Sequence, residues 1–447
     1  MKVVIIFIMA MFFPGILHGA TTYIDECTPS NVQSAHDSAS DGDTIQLRCN
    51  TSGPGTWTSG VTITKAVTIS GQGPSSTQIT RGISDSTPIF LISPTSDKNI
   101  RITGIHFYTE QTSFQVAIGV SGNSYGLKNV RIDNNKFTNG DLNIRIYGYA
   151  YPLIDNNTFI NTEIPIHIKG DNESGWNRPI QPGSQNAVYI ENNSFYIGDY
   201  PTCAADAVIY VDSQDGGSRQ VIRWNNFTSE CTYTNTETTP CSGSSCFAQI
   251  TNDHGNAPWE TGDRGVVMTE AYNNQITLYG SGQVFCARGG VQIIHSNTVN
   301  VGSGGLSRFL YIYEEDTGSS PYLQDQVTNS FIWNNTITGS YSSLIYNSDP
   351  TVVRENYEYF LAAPAASGQG YTKWGSVLPG DTGDKGGTNG EFVSGASAFY
   401  PYTIYTCPHP LTGLTGVCNA SIAGTDGYNW QAQRRMNNIN AIGVRFN

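Results

Sequence analysis

Apolar residues in this chain recur in a fixed relation to one asparagine, as in "IDNNKF" and, 22 residues later, "IDNNTF". Anchored on the second Asn of that motif, the pattern Ile-x-x-Asn-x-Phe/Ile/Val returns at Asn135, Asn157, Asn193, Asn225, Asn274, Asn297 and Asn335, with Ala271 once in place of the Ile. The intervals are 22, 36, 32, 49, 23 and 38, a basic period near 22 with insertions, which is how stacked supersecondary units announce themselves. An apolar residue stands three before and two after each Asn, as in Ile132 and Phe137, Ile154 and Phe159, or Ile190 and Phe195. That offset predicts two short strands meeting at a bend that carries the Asn. A further alternating strand follows in "LNIRIYG", "IPIHIKG" and "AVIYVDS". One such turn is too thin to bury a core, so the turns must stack.

The Asn has a physical reason. At an inward bend, backbone N–H and C=O groups lack sheet partners, and a side-chain amide supplies both a donor and an acceptor. Stacked at the ~4.8 Å strand spacing, the amides would bond to one another as a ladder.

With this ladder and the entry segment "VQSAHDSASDGDTIQLRCN", a short amphipathic cap over residues 30–40 followed by the first coils, the chain resembles the right-handed parallel β-helix proteins of the pectin-lyase-like superfold over roughly residues 25–350. The resemblance implies an all-β, single-stranded right-handed solenoid with a short N-terminal cap helix and a C-terminal extension. That superfold hosts pectate, alginate and chondroitin lyases, glycoside hydrolases, tailspikes and adhesins, so it implies no single activity. The Asn-Thr-Asp, Asp-Asp, Gly-His-Gly and Arg-Ile-Lys motifs of polygalacturonase-like hydrolases and the Trp-Ile-Asp-His of many pectate lyases do not occur here, so no catalytic residue is carried over.

Composition agrees with short strands: of 447 residues only 13% are charged, with 48 Gly and 25 Tyr. Net charge is −13, which argues against nucleic acid and against anionic membranes. Residues 1–20 read as a secretory signal peptide, which places the mature chain outside the cell or at its surface. The nine cysteines all follow that segment, and proximity suggests Cys27–Cys49, Cys241–Cys246 and Cys407–Cys418, while Cys286 reads as a buried structural thiol rather than a nucleophile. Residues 21–355 read as the β-helix and residues 356–447 as a Gly-rich loop plus a C-terminal cap folded over the last coil.

Chemistry on such a scaffold should form columns across coils. The column two before each ladder Asn reads Asp133, Asp155, Glu191, Arg223, Tyr272, His295 and Trp333; three successive acids suggest a solvated face or, as the alternative, bound calcium. The strand after the bend places Lys169, Asp212, His254 and Arg288 in a second column with His167 and Asp253, and insertions there bring Trp176, Arg178, Arg219, Trp259 and Arg264. Aromatic faces beside cations suit an acidic polysaccharide or a cell-surface glycan. For β-elimination, Lys169 or His254 would be the base, with Arg219, Arg264 and Arg288 on the uronate carboxylate. For hydrolysis, Asp212 and Asp253 would be the paired acids. A non-catalytic adhesin-like or structural module would use the same face for binding alone, and a ladder of ion pairs would leave it without function.

Overall fold

The computed structural model describes residues 19–48, 55–83, 85–109, 115–122, 124–140, 142–162, 164–171, 173–176, 178–197, 209–211, 216–229, 248–255, 265–278, 283–302, 305–313, 327–348, 350–351, 353–356, 358–365, 399–414 and 418. Among these, the strands form three sheets of twelve, ten and ten strands in which every pairing is parallel and joins one coil to the next. The chain is thus a right-handed parallel β-helix, the hand expected of parallel crossovers between L-residue strands. Each coil passes through a strand of sheet A (such as Val130–Asp133), an abrupt bend, a strand of sheet B (Lys136–Thr138), and then a strand of sheet C (Leu142–Tyr147). No helix among the described residues is long and apolar enough to cross a membrane.

The N-terminal end is closed by the helix Pro29–Ser38, within the expected cap region. Thr28 caps it by accepting from the Asn31 amide at 3.2 Å, and Pro29 occupies the first turn, where a missing N–H costs nothing. Its buried His36 accepts from the amides of Thr64 and Lys65 through Nε2, tying the cap to the first coils.

At the bend, the doubled asparagine divides two tasks. The first Asn is left-handed, with φ of 53° at Asn134, 55° at Asn156, 56° at Asn192 and 57° at Asn273, a region in which Asn is tolerated far better than most residues. The second Asn turns inward. Asn157 Nδ2 donates to Ile132 O at 2.8 Å and to Asn193 Oδ1 at 3.1 Å, and its own Oδ1 accepts from the backbone and the side chain of Asn135. The same bonds repeat from Asn193 to Asn225, Asn274, Asn297 and Asn335, so all seven expected residues make one continuous ladder. Below it, Ile105 replaces the Asn and donates only its backbone N–H, to Asn135 Oδ1.

The apolar residue two beyond each ladder Asn also stacks. Phe107, Phe137, Phe159, Phe195 and Phe227 lie nearly coplanar-to-parallel with centroids 5.1, 4.8, 4.7 and 4.6 Å apart, the spacing of the coils themselves. Each such pair contributes about 0.5–1.5 kcal/mol beyond its area burial. Ile276, Val299 and Ile337 continue the row.

Residues 399–414 do not fold over the last coil as expected. They form a strap along the outside of sheet A. Phe399 meets Phe331, Tyr402 meets Trp333 and His295, Tyr405 meets Tyr189, and Arg131 donates to the carbonyls of Leu411 and Thr412. The strap thereby crosses seven neighbouring strands of sheet A, roughly 29 Å at the spacing of parallel strands. Gly183 lies against it so closely that a Cβ would sit 1.8 Å from Thr403 O, which is why that loop carries a glycine. Cys407 and Cys418 are bridged, as expected. Cys27 and Cys286 are also disulfide-bonded, so Cys286 is neither a free thiol nor a nucleophile. Cys49, Cys241 and Cys246 lie outside the described residues.

Replacing Asn193 by Ala removes the donors to Ile154 O and Asn225 Oδ1 and orphans the Asn157 amide. The expected loss is about 2–5 kcal/mol in urea unfolding, because each buried orphan costs about 1–3 kcal/mol. Asn192→Gly, one residue earlier and left-handed, should change stability by less than about 0.5 kcal/mol.

Candidate functional site

The two outward faces that sequence columns singled out are built differently. On sheet A, the acids Asp133, Asp155 and Glu191 are buried, not solvated. Arginines interleave with them: Arg101 on Asp133, Arg131 between Asp133 and Asp155, and Arg223 on Glu191 at 2.6 Å. The acids are thus neither solvated, the first expectation, nor left to the alternative of bound calcium for positive charge, since guanidinium groups supply it. Arg223 also donates to Tyr405 O and Thr406 O, and the His409 amide donates to Glu191, so the strap completes the network. Glu191 does lie within ligand distance of the Cys407 and Cys418 sulfurs, but those sulfurs are bonded to each other.

Farther along the same face, Glu270 is wholly buried and accepts from Gly183 N at 2.9 Å and Tyr402 Oη at 2.7 Å. Burial pushes its carboxyl up to about 7, and pushes the Tyr402 phenol up as well. His295, stacked between Tyr272 and Trp333, is lowered to about 4 by the same loss of water. Beneath the strap, Glu270, Tyr272 and His295 are buried.

Sheet C carries the second column. The strand Ile164–Ile168 pairs with Ile209–Val211, which pairs with Ala248–Asp253, then Gln283–Ala287 and Leu306–Ile312. Lys169, His254, Arg288 and Tyr313 each follow the end of one of these strands. Backbone bonds hold them in line: Lys169 N to Ile146 O, Arg288 N to Asp253 O and Tyr313 N to Ala287 O. His254 and Arg288 thus sit on adjacent coils, and Lys169 two coils from His254, about 10 Å at strand spacing. Asp212, the residue after Val211, lies outside the described residues, as do Trp259 and Arg264. Trp176 ends the short helix Glu173–Trp176.

Arg288 Nη1 donates to His254 Nε2 at 2.7 Å and to Asn252 Oδ1 at 3.3 Å. A guanidinium can only donate, so His254 Nε2 must carry a lone pair and the ring is the neutral tautomer with its proton on Nδ1. Arg288 also stands over the Tyr313 ring at 5.8 Å. His167, one position inside the Lys169 column, is in register with Arg145 and Tyr210 and is buried.

Three expected site residues prove to have structural duties. Asp253 shares its register position with Ile168, Val211 and Ala287, the inward face, because side chains alternate along a strand. It is fully buried and accepts from Gln220 Nε2 at 3.1 Å and Thr269 Oγ1 at 2.7 Å, with Gln292 as a third donor, and burial raises it to about 7. Arg219 is buried against the insertion and donates to the carbonyls of Gly175 and Arg178 and to Tyr151 Oη. Arg178 pairs with Asp171 and covers the Tyr149 ring. Arg178 and Arg219 therefore pin the insertion at residues 171–178. Asn252 and Tyr313 join the site without having been singled out in the sequence; both occupy outward positions of the alternating strand, a signal that spacing alone could have supplied.

No model of a known protein family matches the chain, and no curated protein matches it. Solved structures are similar at a distance. An alginate lyase from Paenibacillus sp. str. FPU-7 is 15% identical, with a TM-score of 0.35, over 73% of this chain and 98% of the other. A PL6 alginate lyase in complex with a trisaccharide is 14% identical, with a TM-score of 0.36, over 71% of this chain and 60% of the other.

The Asp253 carboxyl faces only neutral donors, so its proton stabilises the fold. With its pKa raised from 3.8 to about 7, the native state holds a proton that the unfolded chain releases, and stability is lost as pH rises through that window. Asp253→Asn should therefore gain on the wild type by on the order of 2 kcal/mol between pH 5.5 and pH 8, read as the difference between paired unfolding curves.

Proposed function

We propose that the chain is an exported carbohydrate-active β-helix protein that cleaves an acidic polysaccharide by β-elimination on the outer face of sheet C. The observation that carries this reading is the Arg288–His254 pair, a fixed cation held on the lone pair of a neutral imidazole. A uronate carboxylate would compete for the Arg288 donors, since a charge-assisted bidentate pair outweighs a bond to a neutral ring. That exchange neutralises the carboxylate, acidifies the adjacent C–H, and uncovers His254 Nε2 as base in one event.

The electrons then balance simply. The ring proton passes to His254 Nε2, the C–H pair becomes a carbon–carbon double bond, and the glycosidic C–O bond breaks with its pair on the leaving oxygen. Lys169 is the candidate donor to that oxygen or to the carboxylate of the neighbouring sugar. His167 stands two residues before it, on the same outer face. Asp212, Trp176, Trp259 and Arg264 remain candidates from the sequence, the first, third and fourth lying outside the described residues. The paired-acid hydrolase loses one partner, because Asp253 faces the core.

The test is incubation of the mature protein with a panel of uronate polysaccharides while ultraviolet absorbance is followed for the unsaturated product. His254→Ala should lower kcat about 10²–10⁴-fold, as loss of a general base does. Arg288→Lys should keep the charge, lose the bidentate fork and remain well below the wild type. New reducing ends without absorbance would indicate hydrolysis, and neither signal would indicate a binding module.

A further inference from the structure

Eleven arginines fall among the described residues, and nine of them reach an oxygen of the chain. Arg48, Arg101, Arg131, Arg178, Arg223 and Arg354 reach carboxylates; Arg81 and Arg219 reach carbonyls, and Arg288 reaches Asn252. Arg145 and Arg308 differ. Among the described residues their recorded contacts are tyrosine rings: Arg145 stands 4.5 Å from the Tyr147 centroid, and Arg308 lies 4.6 Å from Tyr311 and 4.1 Å from Tyr346. Arg145 Nε is buried without an acceptor.

Both arginines are on sheet C, on either side of the His254–Arg288 pair. Arg145 is in register with His167 on the next coil, and Tyr311 with Cys286 and Tyr346. From the Arg145 strand to the Arg308 strand is five steps of the sheet, roughly 24 Å. A guanidinium held over a ring face keeps N–H donors that the ring does not take up, and such donors can grip a carboxylate. Tyr346, at 45% exposure on the last strand of the sheet, offers a broad face for the apolar side of a sugar ring.

We propose that Arg145 with Tyr147 and Arg308 with Tyr311 and Tyr346 are two outlying subsites for an anionic sugar chain laid along the helix axis, one at each end of the candidate centre. The ligand class follows from the pairing of ring faces with carboxylate-matching donors, repeated at a separation that only an extended polyanion bridges. This rests on the same face as the proposed elimination but does not require that chemistry.

The experiment is calorimetric titration of purified oligouronates, a trisaccharide and an octasaccharide, into the full chain carrying His254→Ala, so that nothing is consumed. The octasaccharide should bind about tenfold or more tightly than the trisaccharide, the gain expected from an added charge-assisted contact. Arg145→Ala and Arg308→Ala should each remove most of that gain and leave trisaccharide binding unchanged. Neither arginine leaves a chain acceptor orphaned, so thermal midpoints should hold, and Tyr346→Ala, on an exposed ring, provides a second variant if one fails to fold. Equal binding of the two oligomers, or an octasaccharide affinity indifferent to these changes, would overturn the proposal. Length-dependent binding by a protein that yields no unsaturated product would leave the subsites standing and remove the elimination. Elimination without such length dependence would do the reverse.

Discussion

Every coil of this protein turns a corner at which backbone groups point inward with no strand to receive them, and one buried asparagine per coil closes that gap. The rest follows from the fact that the amide bonds upward as well as inward. Asn157 reaches Ile132 on the coil before and Asn193 on the coil after. The ladder therefore sets register, and with register set, any residue at a given distance from the Asn lies over its equivalent one coil away. The phenylalanine stack two residues later is the direct consequence, with centroids at 4.6 to 5.1 Å. Insertions of very different length leave between these fixed points without disturbing them, since long loops add little to the closure cost.

Register also determines what a column of charge becomes. On sheet A it brings Asp133, Asp155 and Glu191 together, which would repel strongly once dry, and the chain answers with arginines on neighbouring positions and a strap that seals the network from water. Burial of this kind makes each remaining partner necessary, because a lone charge left there is far costlier than the intact pair is stabilising. On sheet C the same spacing aligns His254 with Arg288 and spaces Arg145 and Arg308 beyond them, among outward residues such as His167, Asn252 and Tyr311 that are also buried. The strap lies on the sheet A face, and the sheet C face is the one on which the proposed chemistry is placed.

The strap also explains the character of the C-terminal segment. Its aromatics, Phe399, Tyr402 and Tyr405, read in isolation as a small apolar cap. In place they are spaced to meet Phe331, His295 and Tyr189 on different coils, so an extended segment crosses coils about as regularly as the coils cross the axis.

What the amino-acid order alone determined is everything carried by local periodicity: the β-helix, the seven ladder asparagines, the cap near residue 30, and the alignment of Lys169, His254 and Arg288 just past the ends of strands of one sheet. These depend on alternation and on a bend motif, both contained within a few residues. Only the tertiary structure decided which side of the strand Asp253 occupies, which carbonyls claim Arg219, and which face the strap covers. Such outcomes depend on contacts between residues far apart in the chain, as between Arg223 and Tyr405 at a separation of 182, and a repeat of 22 contains no information about a segment that lies outside it. Asp253 shows the limit most plainly. One position along a strand separates it from His254, and with side chains alternating faces, that single step turns one residue into the core and leaves its neighbour at the site.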